Sequence, residues 1–238
     1  MISTQNSASA GPGAVNGSPG GSVPAVVVLR PIASGLPFGF FGLTLAAALI
    51  GAQAYGFLPA SASLVIGLLL LPTAVLQLIG GISCILGRDV ISASLMLVFS
   101  VTWLGTALVY LFHPPYGLPG LGIWYLALAP VIGALISSAT GKLALTFVPI
   151  VGLPTFVVTA IWLLGNADSA GLGKAVAVLS FVLAAVGYYV ALALLFEDSR
   201  RRTILPTLRR GPMRQAFTGT FTDQLTNVEH EAGVRRYV

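Results

Sequence analysis

Gln77 is the residue of this chain best equipped to act on another molecule. It lies inside an apolar run from Ser61 to Leu86, and its carboxamide offers both hydrogen-bond donors and an acceptor. Such a group must find partners when buried. Two sources are open to it: a neighbouring helix, or a solute that hydrogen-bonds as it passes. The other polar groups set among apolar neighbours are also neutral: Thr44, Gln53, Ser83, Ser92, Ser94, Ser100, Thr102, Thr155 and Thr159, with Trp103, Tyr110, Tyr188 and Tyr189. Ser92, Phe99, Trp103 and Tyr110 are spaced by seven, four and seven residues, which keeps them near one helix face. That stripe suits core packing. It equally suits a narrow apolar constriction with small polar rims, through which a small, weakly polar solute passes.

Charged chemistry is excluded from the same regions. No Asp, Glu, Lys or Arg occurs between Arg30 and Arg88, and none between Asp89 and Lys142. The histidines are His113, in a predicted loop, and His230, near the C-terminus. This pattern argues against a carboxylate-based proton pump, a voltage sensor or an ion site built on a buried acid. No metal-ligand spacing and no phosphate-cradling glycine loop with a lysine appears, so no cofactor is expected. Cys84, His113 and the few acids do not assemble a nucleophile, base and acid, so an enzyme is not expected. The lone cysteine excludes an intramolecular disulfide framework and reads as buried packing. The formal charge of +5 is no signature of nucleic acid, because the basic residues cluster beside predicted helix ends and in the C-terminal tail.

The elements that position these groups are membrane helices. Of the 238 residues, 56% are apolar and 8% charged, against about 25% charged in a soluble domain; mean hydropathy is +0.92. A charge at the bilayer centre costs about 2.5–3.5 kcal/mol even on insertion scales, so the sparse charges mark where the chain leaves the membrane. They delimit six spans, at about 36–58, 61–86, 90–112, 118–139, 143–164 and 174–196, the last stopping at Glu197–Asp198. Long apolar runs without alternation select helices over a barrel. The expected fold is an all-α integral membrane protein with a transmembrane domain over 31–198. It is preceded by a disordered Gly/Ser/Ala/Pro-rich tail over 1–30 and followed by a polar, basic tail over 199–238. No cleavable signal peptide is read at the start. Pro72, Pro130, Pro149 and Pro154 fall inside spans, and Gly39, Gly42, Gly80 and Gly81 provide small faces for close helix packing.

Several stretches resemble the acetate uptake transporters, a small six-span family that includes bacterial acetate/succinate–proton symporters. Pro37-Phe38-Gly39-Phe40-Phe41-Gly42 is similar to the family's Pro-Leu-Gly-Leu-x-Gly opening of the first helix, with Ala33-Ser34-Gly35-Leu36 in place of its preceding Asn-Pro. Gln77 with Gly81 and then Trp103 resembles the second and third helices in spacing. Gly165–Asn166 fits the end of the fifth. Glu197 with Arg202-Thr203-Ile204-Leu205-Pro206 resembles the Glu…Arg-Thr-Val-Leu-Pro ending and is the most specific match. The resemblance implies a homohexamer in the cell membrane, each protomer with its own path for a short carboxylate, acetate above all, with proton symport as the family's coupling. It places the family's constriction on Leu43, Phe99 and Thr155 (or Pro154), with Gln77 and Trp103 also along the path. Phe99 lacks the hydroxyl of the family's tyrosine, and the Tyr-Gly pair before the glutamine is replaced by Pro72–Thr73. A urea or short-amide channel, also six-span and hexameric, is the rival within transport. A non-transporting accessory membrane protein that recruits a partner through its tail is the rival outside it.

Orientation follows from the loops. An even span count puts Arg30, Arg88, Lys142, Arg200, Arg201, Arg202, Arg209, Arg210, Arg214, Arg235 and Arg236 on one side and only Lys174 on the other. The positive-inside rule assigns the first side to the cytoplasm, with both termini. A reporter fused after Val238 should therefore behave as cytoplasmic, and one inserted between Pro114 and Leu118 as external. The opposite pattern would overturn the six-span topology.

Overall fold

The computed structural model describes residues 34–138, 143–200, 204–210 and 214. The expected N-terminal tail, Lys142, Arg201–Thr203 and most of the C-terminal tail lie outside the described residues. Six helices are long and apolar enough to cross a membrane: α1 (Leu36–Tyr55), α2 (Ser63–Leu86), α3 (Val90–Phe112), α4 (Gly117–Ser138), α5 (Leu143–Leu164) and α6 (Ala170–Arg200).

Local chemistry explains most boundaries. Pro37 occupies the first turn of α1, where a missing N–H is harmless. The helix ends at Tyr55, short of the expected Leu58, because Gly56 adopts φ 91°. Gly56 N–H then bonds Gln53 O, and Phe57 N–H bonds Ala52 O, closing off the last carbonyls as a glycine cap does. Asp89 caps α3: its carboxylate accepts from Ser92 N–H at 3.1 Å and Ser92 Oγ at 2.8 Å. Helices α2, α4 and α5 run through their internal prolines.

The sixth span departs from expectation at both ends. It starts at Ala170, four residues before Lys174, with Ser169 Oγ accepting from Leu172 N–H. It also continues past Glu197–Asp198 to Arg200. Charge failed as a stop signal here because Glu197 is buried and paired. Arg209 reaches its carboxylate in an ion pair, and Thr207 Oγ1 donates to Oε2 at 3.4 Å. The segment 204–210 thus folds back as a strap. Its Leu208 and Thr207 carbonyls accept from Leu143 N–H and Ala144 N–H, two of the orphan donors at the start of α5. Tyr189 OH donates to Pro206 O at 2.8 Å.

The helices close a ring in chain order, each packed on the next, with α6 returning to α1. Successive spans run antiparallel, so Ser34 and Arg200 share one side, called here the terminal side. Small residues bring the backbones together. A Cβ on Gly80 would lie 2.9 Å from Gly35 O and 3.1 Å from Gly39 Cα. One on Gly42 would lie 2.8 Å from Thr73 O and 3.0 Å from Gln77 Cγ. In lipid, such close approach replaces the hydrophobic driving force between helices. The α3–α4 seam is instead joined by hydrogen bonds, Thr106 Oγ1 to Tyr125 OH and Trp124 Nε1 to Thr102 Oγ1, both 3.1 Å.

Gly80→Ala should overpack the α1–α2 seam and cost about 1–3 kcal/mol. Gly105→Ala, whose added methyl meets nothing within 4 Å, should gain up to about 1 kcal/mol from helix propensity. Thermal unfolding of both variants in detergent tests this. A Gly80→Ala protein as stable as the parent would show that the seam yields.

Candidate functional site

Among the described residues, the interior of the ring offers a passing molecule a cavity at one end and a cluster of rings near the middle. The cavity, about 370 Å³, lies at the end of the bundle opposite Ser34 and Arg200. Antiparallel packing brings the ends of α1, α3 and α5 together there with the starts of α2 and α4. Its polar lining comes from Gln53, Ser63, Tyr110, His113, Tyr116, Trp162 and Asn166. No acid and no Lys or Arg lines it. His113, left-handed at φ 45°, places its Nε2 3.2 Å from Ser63 Oγ and so ties the end of α3 to the start of α2. Tyr110 OH is in hydrogen-bonding reach of the Gln53 side chain. Gln53 Oε1 and Trp162 Nε1 are buried without a partner.

Deeper along the axis, Phe156 of α5 is 1% exposed and gathers three other rings. Phe99 meets it edge-on at 5.2 Å between centroids, Tyr125 tilted at 5.2 Å and Trp103 at 6.1 Å. Such edge-to-face and tilted contacts suit the ring quadrupoles. At 1.5 Å per residue, Trp103 and Phe156 lie roughly 20 Å along their helices from the terminal side, near mid-membrane. The expected stripe on α3 does face inward: Ser92, Phe99, Trp103 and Tyr110 are all buried.

Nearer the terminal side is Gln77, fully buried on α2 against Gly42 of α1. Neither Oε1 nor Nε2 has a hydrogen-bond partner. Trp103 Nε1, 2% exposed, is also unpartnered. Most other buried hydroxyls are bonded. Thr73, Thr102, Thr106 and Thr159 donate back to carbonyls of their own helices, and Ser100 donates to Ala74 O across the α2–α3 seam.

Of the residues expected along a path, Phe99 and Trp103 come together through Phe156. Leu43 is fully buried but turned toward α6, its Cδ2 3.5 Å from a Cβ placed on Gly187. Thr155 is buried, and its hydroxyl donates to Val151 O at 2.7 Å and reaches Leu179 O of α6 at 3.5 Å. The α5 residue that meets Phe99 is therefore Phe156, one position on. Sequence reasoning did not single out Phe156, Tyr125 or Trp162, and read Gln53 only as a neutral polar residue. On α5, Pro149 and Gly152, seven and four residues before Phe156, share its face and carry no polar group that would mark it. The cavity residues fall near the ends of α1, α3 and α5 and the starts of α2 and α4, and no local pattern in the sequence says that these ends converge.

In sequence, no family model and no curated protein matches this chain. In structure, it is similar to the bacterial acetate channel SatP, with a TM-score of 0.63 over 74% of this chain and 98% of that one, at 17% identity. The likeness is one of fold. The chain is an all-α, multi-pass membrane protein with the six-helix architecture of a membrane channel.

Phe156→Ala should remove the shared partner of three rings and cost about 3–5 kcal/mol. Thr155→Val, next to it, should cost far less, since the lost hydroxyl bonds mainly within its own helix. Denaturant unfolding in detergent compares the two. Equal losses would deny Phe156 its central place.

Proposed function

We propose that this protein conducts short monocarboxylates, acetate above all, across the cell membrane, each protomer carrying its own path. The observation that carries this reading is the fold shared with an acetate channel over nearly all of that channel's length. The interior supports it. A neutral polar vestibule of about 370 Å³ leads toward an aromatic constriction that dewets the axis and holds back water and bulk ions. Along that path we place Gln53, Tyr110 and Trp162 at the mouth, Trp103, Phe99 and Phe156 at the constriction, and Leu43, Gln77 and Thr155 beside it. The terminal side is cytoplasmic in this reading, and its arginines favour anions at the inner mouth. A homohexamer is the proposed assembly, and proton-coupled uptake the proposed mode.

A urea or short-amide channel is the second reading. It is favoured by the carboxamides of Gln77 and Gln53, which pair as well with an amide as with an acid.

Labelled acetate and urea should be offered to proteoliposomes that contain this protein alone. Acetate uptake that rises as external pH falls, with little urea uptake, is the expected result. Urea uptake indifferent to pH would favour the amide channel. Movement of neither solute would leave a non-transporting membrane protein. Gln77→Leu should cut acetate flux at least tenfold with assembly intact. Phe99→Ala should admit larger carboxylates such as succinate, and Phe99→Tyr should tighten selection for acetate. Unchanged size selectivity in Phe99→Ala would remove Phe99 from the path.

A further inference from the structure

The strap from Ile204 to Arg210 has two faces. Leu205, Thr207 and Arg209 turn toward the bundle, while Ile204, Pro206, Leu208 and Arg210 are exposed. That alternation is the period of extended chain. The inward face and the backbone hold the strap in place. Glu197 receives Arg209 and Thr207, the first amides of α5 donate to the carbonyls of Leu208 and Thr207, and Tyr189 OH donates to Pro206 O. The outward face is different in kind. It presents two large apolar side chains, Ile204 and Leu208, with Pro206 between them and an arginine at the end.

Depth decides what lies against that face. Helix α6 has 31 residues, about 46 Å at 1.5 Å per residue, against a hydrocarbon core of about 30 Å. It therefore leaves the core before it ends. Its apolar run stops at Phe196, and Glu197 is the first charge after Lys174. The strap bonds Glu197 at this boundary and Tyr189 about two turns before it, so it lies along the last turns of the apolar run. Tyr188 and Tyr189 are exposed at the same level, as aromatic side chains are at a membrane edge. Ile204, Pro206 and Leu208 thus stand where acyl chains begin. Arg200, at the end of α6, and Arg210, at the end of the strap, are exposed beside them. The sequence from Glu197 to Arg214 holds six arginines against two acids, Glu197 and Asp198. Apolar side chains under an excess of arginine complement a lipid with an anionic headgroup. A zwitterionic lipid brings the same tails without the charge, and a soluble phosphate brings the charge without the tails.

We propose that the outward face of the strap, with Arg200 and Arg210, is a binding site for an acidic phospholipid of the leaflet at the terminal side. Its acyl chains lie on Ile204, Pro206 and Leu208, and the two arginines hold its headgroup. The bound lipid presses the strap onto α6 and the start of α5. The site is on the outer surface of the bundle and holds whatever solute the interior conducts.

Bromine on an acyl chain quenches an adjacent indole, so Leu208→Trp in the full chain reports which lipid occupies this face. The protein is reconstituted in mixed vesicles of phosphatidylglycerol and phosphatidylcholine, with one or the other brominated. The unsubstituted chain gives the baseline from Trp103, Trp124 and Trp162. Brominated phosphatidylglycerol should quench the added indole as a lipid bound about fivefold more tightly than phosphatidylcholine, the preference that one arginine supplies at an anionic surface. Arg200→Gln together with Arg210→Gln should bring the two lipids close to equality while leaving the Glu197–Arg209 pair in place. Raising salt from about 0.1 M to about 1 M should also lower the preference. Equal quenching by the two lipids in the Leu208→Trp protein would overturn the proposal, as would a preference that the arginine substitutions leave unchanged. Quenching by neither lipid would overturn it too, and would place a protein partner or a second copy of this chain on the strap. Glycerol 3-phosphate in the buffer should change nothing; if it abolished the preference, the arginines would be a site for free phosphate and not for lipid. Ile204→Trp repeats the measurement from the other end of the strap if Leu208→Trp fails to assemble.

Discussion

Hydrocarbon does not supply hydrogen bonds, and the structure is organised around that fact. An unpaired polar group that water would satisfy costs several kcal/mol in the bilayer core. The chain meets this constraint first with helices, then with side chains whose polar atoms turn back on their own backbones. Thr73 reaches Leu70 O, Thr102 reaches Val98 O and Thr159 reaches Thr155 O. Where charge is unavoidable it is given a partner, Asp89 by Ser92 within the same turn and Glu197 by Arg209 of the returning strap. Against that background, the unpaired atoms of Gln77, Trp103, Trp162, Gln53 and Ser180 stand out among the described residues.

Glycines and rings divide the work of packing. Gly42 of α1 lets α2 come close enough that an added methyl would meet Thr73 O at 2.8 Å, Gly35 just before α1 lies against Ser83 of α2, and Gly39 lies against the Met96 side chain of α3. On the other side of α1, Gly51 lies against Ser180 and Ala177 of α6. Drawing α1, α2 and α6 together leaves the remaining interior to be filled by large side chains. Phe99, Trp103, Tyr125 and Phe156 fill it from α3, α4 and α5. A seam of small residues on one side of the ring and a knot of aromatics on the other produce a closed bundle whose centre can be altered by a single ring.

Much of this was legible in the sequence because charge is so expensive in lipid. The gaps between Arg30, Arg88, Asp89 and Lys142 give two uncharged blocks, and the breaks at Pro59 and His113-Pro114-Pro115 divide these into the first four spans to within a few residues. The spacing of Ser92, Phe99, Trp103 and Tyr110 gives the inward face of α3 correctly because that helix has no proline to disturb its register. Helix α5 is different. Thr155 and Phe156, both buried, point about 100° apart around it, and spacing alone does not say which of the two meets Phe99. The vestibule was hidden for another reason: it is assembled from five helices, and no local pattern says which span ends converge. The overrun of α6 was hidden because the partner of Glu197 comes from the tail, a long-range pairing that the rule of charge as a stop signal does not see.

The strap from Ile204 to Arg210 has a consequence for how the molecule is made. During synthesis, α6 follows the other five helices, and the strap emerges after α6. Until Arg209 appears, Glu197 has no cation, and until Thr207 and Leu208 appear, the first amides of α5 lack these acceptors. The terminal-side end of α6 must therefore remain in contact with water or headgroups while the ring closes. It is sealed last, when the returning chain folds over it. The strap's contacts with Glu197 and the start of α5 are thus formed last as the chain is made.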